Sequence, residues 1–290
     1  MNGRAFRVSE KEGKAMNEVI RQLAARKSVR AFEDRDIPGE VRAAILEAAA
    51  QAPTAGNQQL YTILNVTDPQ LKARLAETCD HQPFIATAPM VLIFLADVCK
   101  WLDAYREAGC EPRAPGAGDV MLAASDAAIA AQNAVTAAWS LGVGSCYIGD
   151  VMERCEEHRE MLNLPPHVFP AAMLVLGYPT EQQARRPKPE RFNMADIVCE
   201  NVYRRKDGPA LRRMFAGRCG ARGYDAWMDA FCRRKYNSDF SREMTRSVEA
   251  YLRDYGLVRA EDGGEDGRPG ARADSSAPGA PGVPERGPEA

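Results

Sequence analysis

The sequence predicts helices layered on a sheet, α/β or α+β, and three observations lead there. Candidate strands are few, and helical segments separate them. Pro89–Ala96 is continuously apolar with β-branched residues, the pattern of a strand buried on both faces. Asp119–Leu141 is the longest helical stretch, alanine-rich, free of Gly and Pro, and ended by Gly142. Its small residues predict close packing on another helix, within the subunit or across a dimer.

The remaining elements follow by pattern. Glu18–Arg26 sets Val19, Leu23 and Ala24 on one helical stripe. Pro38 opens a helix carrying Val41, Ile45, Leu46 and Ala49. Tyr61–Val66 reads as a strand, and Asp68-Pro69 starts the next helix. Gly144–Ile148 and Ala171–Leu176 are further strands, and a basic, mostly helical stretch runs from Tyr203 to about Tyr255. Residues 1–15 are polar without periodicity, an N-terminal extension expected to be disordered. Residues 258–290, rich in Gly and Pro, are expected to be a disordered tail. Between them the reading places a main domain at 16–205 and a helical extension at 206–257.

Composition narrows the function. The 290 residues are 45% hydrophobic and 27% charged, ordinary for a globular chain of one or two domains. A net charge of −2 argues against a nucleic-acid protein, the basic segment Arg204–Arg234 notwithstanding. No apolar run spans a membrane, and the N-terminus lacks the apolar core of a secretory signal, so a cytoplasmic location is expected. Eight cysteines show no C-x-x-C spacing and only three histidines are scattered among them, so no metal is expected. The thiols are read as reduced and mostly buried.

Four segments could carry chemistry. In Arg26-Lys27-Ser28-Val29-Arg30, an extended backbone would send Arg26, Ser28 and Arg30 to one side, a set suited to phosphate. A solvated basic helix end is the plainer alternative. Pro53-Thr54-Ala55-Gly56-Asn57-Gln58-Gln59 offers a close backbone and two amides suited to a heterocycle edge, against the alternative of a simple turn. Gly142–Asp150 fails G-x-G-x-x-G because position 147 is tyrosine, so a nucleotide cofactor needs another cradle. Arg185–Arg191 is a proline-stiffened basic loop, commonly an exposed linker. With no G-x-S-x-G or H-E-x-x-H, a cofactor is expected to carry the chemistry.

Taken in order, Arg26-x-Ser28-Val29-Arg30-x-Phe32, Pro53–Gln59, Ser125–Asn133, Leu141–Gly149, Leu174–Pro179 and Lys188-x-x-Arg191 resemble the FMN-dependent nitroreductase family, from about Met16 to Tyr203. Phe231–Ser241 also resembles a C-terminal extension of some members. The resemblance implies a three-layer α+β fold, with a central mixed sheet flanked by helices, in an interlocked homodimer with FMN at the subunit interface. It implies that Arg26 and Ser28 hold the FMN phosphate, with Lys188 and Arg191 closing on it. The family pattern there is often Lys-x-Arg, so this spacing leaves open which of the two reaches it. It also implies Arg30 at the N1/O2 edge, where a guanidinium stabilises charge left by reduction. Asn57, Gln59 and the backbone of Pro53, Thr54 and Ala55 would line the flavin and ribityl chain. Tyr147, Ile148 and Gly149 would pass the ring, with the Gly149 N–H at N5. Cys146 is read as a packing residue.

The implied activity passes electrons from NAD(P)H through FMN, ping-pong, to a nitroaromatic, quinone or related small-molecule acceptor. The alternatives are a flavin-binding or storage protein, or a same-fold flavin reductase, enoate reductase or dehalogenase.

Overall fold

Strands β1 (Tyr61–Val66), β2 (Met90–Asp97), β3 (Gly144–Ile148) and β4 (Val168–Gly177) form one sheet in the order β1-β2-β4-β3. The computed structural model describes residues 17–257, so the expected disordered segments 1–15 and 258–290 lie outside the described residues, as does Met16. All three strand ladders are antiparallel. The mixed character expected of the sheet rests, among the described residues, on one parallel bridge between Ser28 and Ser145.

Alternation along β2 builds the layers. Met90, Leu92 and Phe94 enter a cluster with Ile45, Ala49 and the alanines of the central helix. Val91, Ile93 and Leu95 enter a second cluster with Leu75, Ile85, Leu102 and Tyr251. Every residue of β2 is buried, as its unbroken apolar run predicts.

One helical layer holds α2 (Gly39–Ala50) and the long α6 (Ala117–Ser140), after a short α1 (Glu18–Ala25). Ala127, Ala130, Ala131, Ala134 and Ala138 of α6 are fully buried in the cluster that holds Ile45 and Ala49 of α2, so the small-residue stripe meets a helix of its own subunit. Gly142 follows α6 with φ 77°, the left-handed exit that glycine supplies. The other layer holds α3 (Pro69–Thr78), α4 (Phe84–Thr87), α5 (Cys99–Glu107) and α7 (Cys155–Met161). Asp68 caps α3 by accepting from the Gln70 N–H at 2.9 Å.

Beyond β4 come α8 (Glu181–Arg185), α9 (Met194–Ile197), α10 (Gly208–Cys219), α11 (Tyr224–Lys235) and α12 (Asp239–Leu252). Helix α12 enters the core. Its Tyr251 is 1% exposed and meets Phe169 edge-on at 5.2 Å, and Ser247 accepts from the Cys155 N–H at 2.6 Å. All eight cysteines are free, but only Cys79, Cys146, Cys155 and Cys219 are buried, while Cys110, Cys199 and Cys232 are exposed. The expectation of mostly buried thiols is therefore corrected to half of them. Of the others, Cys99 is half-buried against the core at the start of α5, Cys110 and Cys199 lie outside helices and strands, and Cys232 sits exposed on α11.

Candidate functional site

The segment after α1 leaves the helix at Arg26 and runs extended as a strap along the sheet edge. Val29 N–H donates to the Ser145 carbonyl at 2.9 Å, and Ser28 pairs with Ser145. Further on, Glu33 N–H donates to Tyr178 at 2.8 Å and Phe32 bridges Pro179. Two glycines let the strap lie this close. A Cβ on Gly144 would meet Val29 Cγ2 at 2.6 Å, and one on Gly177 would meet Phe32 Cδ1 at 2.7 Å. The space at Gly144 thus serves the strap's own side chain.

With Val29 fully buried, strand alternation turns Ser28 and Arg30 outward together, and both are exposed. Arg26 and Lys188 stand close enough that burial, Arg191 and Arg26 together hold the Lys188 ammonium below its ordinary range. Lys188 Nζ donates to the last carbonyls of α1, Leu23 at 3.2 Å and Ala24 at 2.7 Å. Among the described residues none of Arg26, Arg30, Lys188 and Arg191 joins an ion pair, although most other arginines that pair do so within a turn or two. Crowded cations without a counter-charge make an anion site. Burial pushes the Cys146 thiol up, while Arg30, Ser28 and Arg26 pull it back. A thiol kept protonated by burial suits Cys146 to packing.

Tyr147 is 38% exposed between buried Cys146 and Ile148, with its hydroxyl 3.4 Å from Gln132 Oε1. Gly149 follows the strand end with φ −78°. Its N–H has no acceptor among the described residues, and a Cβ there would meet only Met152 Cε at 3.9 Å. The cation set, the Ser28 hydroxyl and this open backbone donor fit a phosphate-bearing cofactor with a planar, acceptor-rich ring.

The Pro53–Gln59 loop is held elsewhere. Residues Ala55–Asn57 form a single 3-10 turn, with Gly56, Asn57 and Gln59 at positive φ of 57°, 56° and 50°. Asp126 of α6 fixes it: one carboxylate oxygen accepts from Ala55 N–H at 3.0 Å and the other from Leu60 N–H at 3.1 Å. Trp101 Nε1 donates to the Gln58 carbonyl at 2.8 Å, and Thr54 Oγ1 accepts from Gln59 N–H at 3.1 Å. Pro53, Asn57 and Gln59 are exposed, with Thr54 and Ala55 half-buried. Among the described residues no hydrogen bond joins this loop to the strap, to Tyr147–Gly149 or to Lys188–Arg191.

Two residues escaped sequence reasoning. Asp126 is 3% exposed on the alanine stripe of α6, and a carboxylate on a buried small-residue face must find donors. That signal was in the sequence. Gln183, whose Oε1 accepts from Arg30 N–H at 3.3 Å, carried none, because only the return of α8 beside the strap brings it there. Among the described residues no cluster of His, Cys, Asp or Glu could hold a metal ion.

Strap, loop and sheet edge together describe an α+β protein built to hold an anionic cofactor. The sequence model of the Nitroreductase family matches residues 23–178, and the chain belongs to that family. It is 31% identical over 239 residues to an FMN reductase [NAD(P)H] of Bacillus subtilis, covering 81% of this chain and 91% of the relative. It is 32% identical over 198 residues to an oxygen-insensitive NADPH nitroreductase of Salmonella typhimurium, covering 68% of this chain and 80% of the relative. The solved structure of B. megaterium NfrA2 superposes with TM-score 0.70 at 29% identity, covering 83% of this chain and 98% of that one.

Proposed function

We propose that the protein is an NAD(P)H-dependent FMN oxidoreductase that delivers electrons to a nitroaromatic, quinone or related conjugated acceptor. The observation that carries this reading is the set Arg26, Lys188 and Arg191, which joins no ion pair among the described residues, together with the exposed Ser28 two positions after Arg26 on the extended strap. Bound FMN supplies two-electron chemistry that no side chain here can perform. The chain's own part is to bind and orient. Arg26, Ser28, Lys188 and Arg191 hold the phosphate, and Arg30 faces the pyrimidine edge, where a fixed guanidinium favours negative charge. The Gly149 N–H would serve as donor to N5, with Tyr147 and Ile148 lining the ring. Pro53, Thr54, Ala55, Asn57 and Gln59 line the flavin and ribityl chain.

The protein works as a homodimer in the cytoplasm. Support for self-association comes from apolar side chains that one chain leaves in water: Val19 and Leu23 on α1, Met121 and Ile129 on α6, and Ile197 and Val202 after Arg191. The separation of loop from strap favours a site completed by a second copy. In this reading 16–205 is the flavin domain and 206–257 its helical extension. No described helix is long and apolar enough to cross a membrane.

Purified protein should be yellow, with about one FMN per chain, and anaerobic NADPH or NADH should bleach it. Re-oxidation by nitrobenzene or a quinone completes the test. A colourless protein that ignores added FMN overturns the reading, and a yellow protein that neither nucleotide reduces favours flavin storage.

A further inference from the structure

A cleft of about 560 Å³ opens where the turn after α3, the 153–157 segment and the start of α12 meet. Six carboxyl groups and two guanidinium groups line it. Both guanidiniums are engaged within the chain. Arg154 pairs with Glu157 at 3.0 Å, and Arg246 grips Glu156 and Glu243 at 2.8 and 2.9 Å. Asp80 in the lining and Asp150 beside Glu153 join no ion pair among the described residues. The cleft therefore keeps an excess of negative charge.

Glu153 gives that charge a point of attachment. It lines the cleft yet is only 6% exposed, and its Oε1 has no hydrogen-bond partner. A buried carboxyl oxygen without a donor is unfavourable. The acids that face it, Asp150, Asp80 and Glu243, repel it. Cys79, whose thiol burial pushes up to about 12, adds no charge. Arg154, the cation that faces Glu153 among the described residues, is committed to Glu157. A donor that satisfies Glu153 must come from outside the chain and carry positive charge.

Among the described residues no cluster of His, Cys, Asp or Glu could hold a metal ion, so the negative charge is spread along the cleft rather than focused on one point. Spread carboxylates match ammonium groups separated by methylenes. Each ammonium brings a full charge and several N–H donors, and the half-buried Phe240 offers the methylenes an apolar surface. We propose that this cleft binds an alkyl polyamine, with one ammonium donating to Glu153 and another held by Asp80. The site is independent of the FMN reading.

The test is calorimetric titration of the full-length protein with spermidine, at pH 8 and pH 6 in low salt. At pH 6 the Glu153 carboxyl, pushed up to about 7 by burial first and then by the neighbouring acids, holds its proton; at pH 8 it is ionised. Wild type should bind spermidine about tenfold more tightly at pH 8. Glu153→Gln should weaken binding at pH 8 about tenfold and remove the difference between the two pH values. The surface change Asp80→Asn should weaken it about threefold or more, and 1-aminobutane should bind wild type at least about tenfold more weakly than spermidine. Equal spermidine affinity in wild type and Glu153→Gln overturns the proposal. Displacement of spermidine by equimolar magnesium chloride overturns it too, since that marks unspecific attraction of cations to an acidic surface.

Discussion

Asp126 and Ala55, 71 positions apart, are joined by a 3.0 Å hydrogen bond from the Ala55 amide to a carboxylate buried on the central helix. The second oxygen takes the Leu60 amide, so one side chain clamps both ends of the loop assigned to the flavin. Asp126→Asn leaves one acceptor and turns an NH2 group toward a donor. A loss of about 1–3 kcal/mol is expected from the unmet amide. Urea unfolding reads that loss, and FMN fluorescence should show weaker cofactor binding. Unchanged FMN affinity would show that the loop does not line the cofactor.

Arg26 sits beside Lys188 and Arg191, whereas Arg30 lies further along the strap. If the phosphate anchors the cofactor, Arg26→Ala loses a charge-assisted bond of about 1.5–3 kcal/mol, or roughly tenfold or more in affinity. Arg30→Ala should hold FMN more tightly than Arg26→Ala. Equal dissociation constants for the two variants contradict this.

Gly144 touches the strap by having no side chain. Gly144→Ala would drive a Cβ to 2.6 Å from Val29 Cγ2, costing about 1–3 kcal/mol through overpacking. Val29→Ala in the same chain should recover part of the melting temperature and of the flavin content. A double variant no better than Gly144→Ala alone would show that the clash is not the cause.

Glu153 follows the Gly149 segment and is 6% exposed, with Oε1 unpartnered. Burial first, then Asp150, Asp80 and Glu243, push its carboxyl up to about 7, against the pull of Arg154. The folded state thus keeps a proton that the unfolded chain has released. Its stabilising contribution is complete below about 4.5 and is lost as pH rises through about 7. Glu153→Gln should therefore melt higher than wild type at pH 8, by up to about 1–3 kcal/mol. The advantage should fade toward pH 5. An advantage that grows toward acid would refute the assignment.

Local pattern made much of the fold legible. Strand β1 matches its predicted bounds, and β2 is displaced by one residue at each end, since Pro89 has no ladder donor and Asp97, past the apolar run, still pairs with Val168. Strand β4 starts at Val168 rather than Ala171. Pro170 hides that start, since proline removes a ladder donor, and here it sits where the pairing with β2 shifts register between Phe94 and Leu95. Four-residue helices such as α4 and α9 offer no periodicity to read.

The sequence by itself determined the layers, because period-two and period-3.6 patterns act over a few neighbouring residues; it left Arg26–Arg30 open between an extended strand and a basic helix end, and pairing with Ser145 decided for the strap. The tertiary structure alone decided that Asp126 clamps the 53–60 loop, that Gln183 meets Arg30, and that Lys188 caps α1 beside Arg26. Each of these joins residues 66 to 164 positions apart. Such meetings depend on how the chain returns over the sheet, and no local preference encodes them.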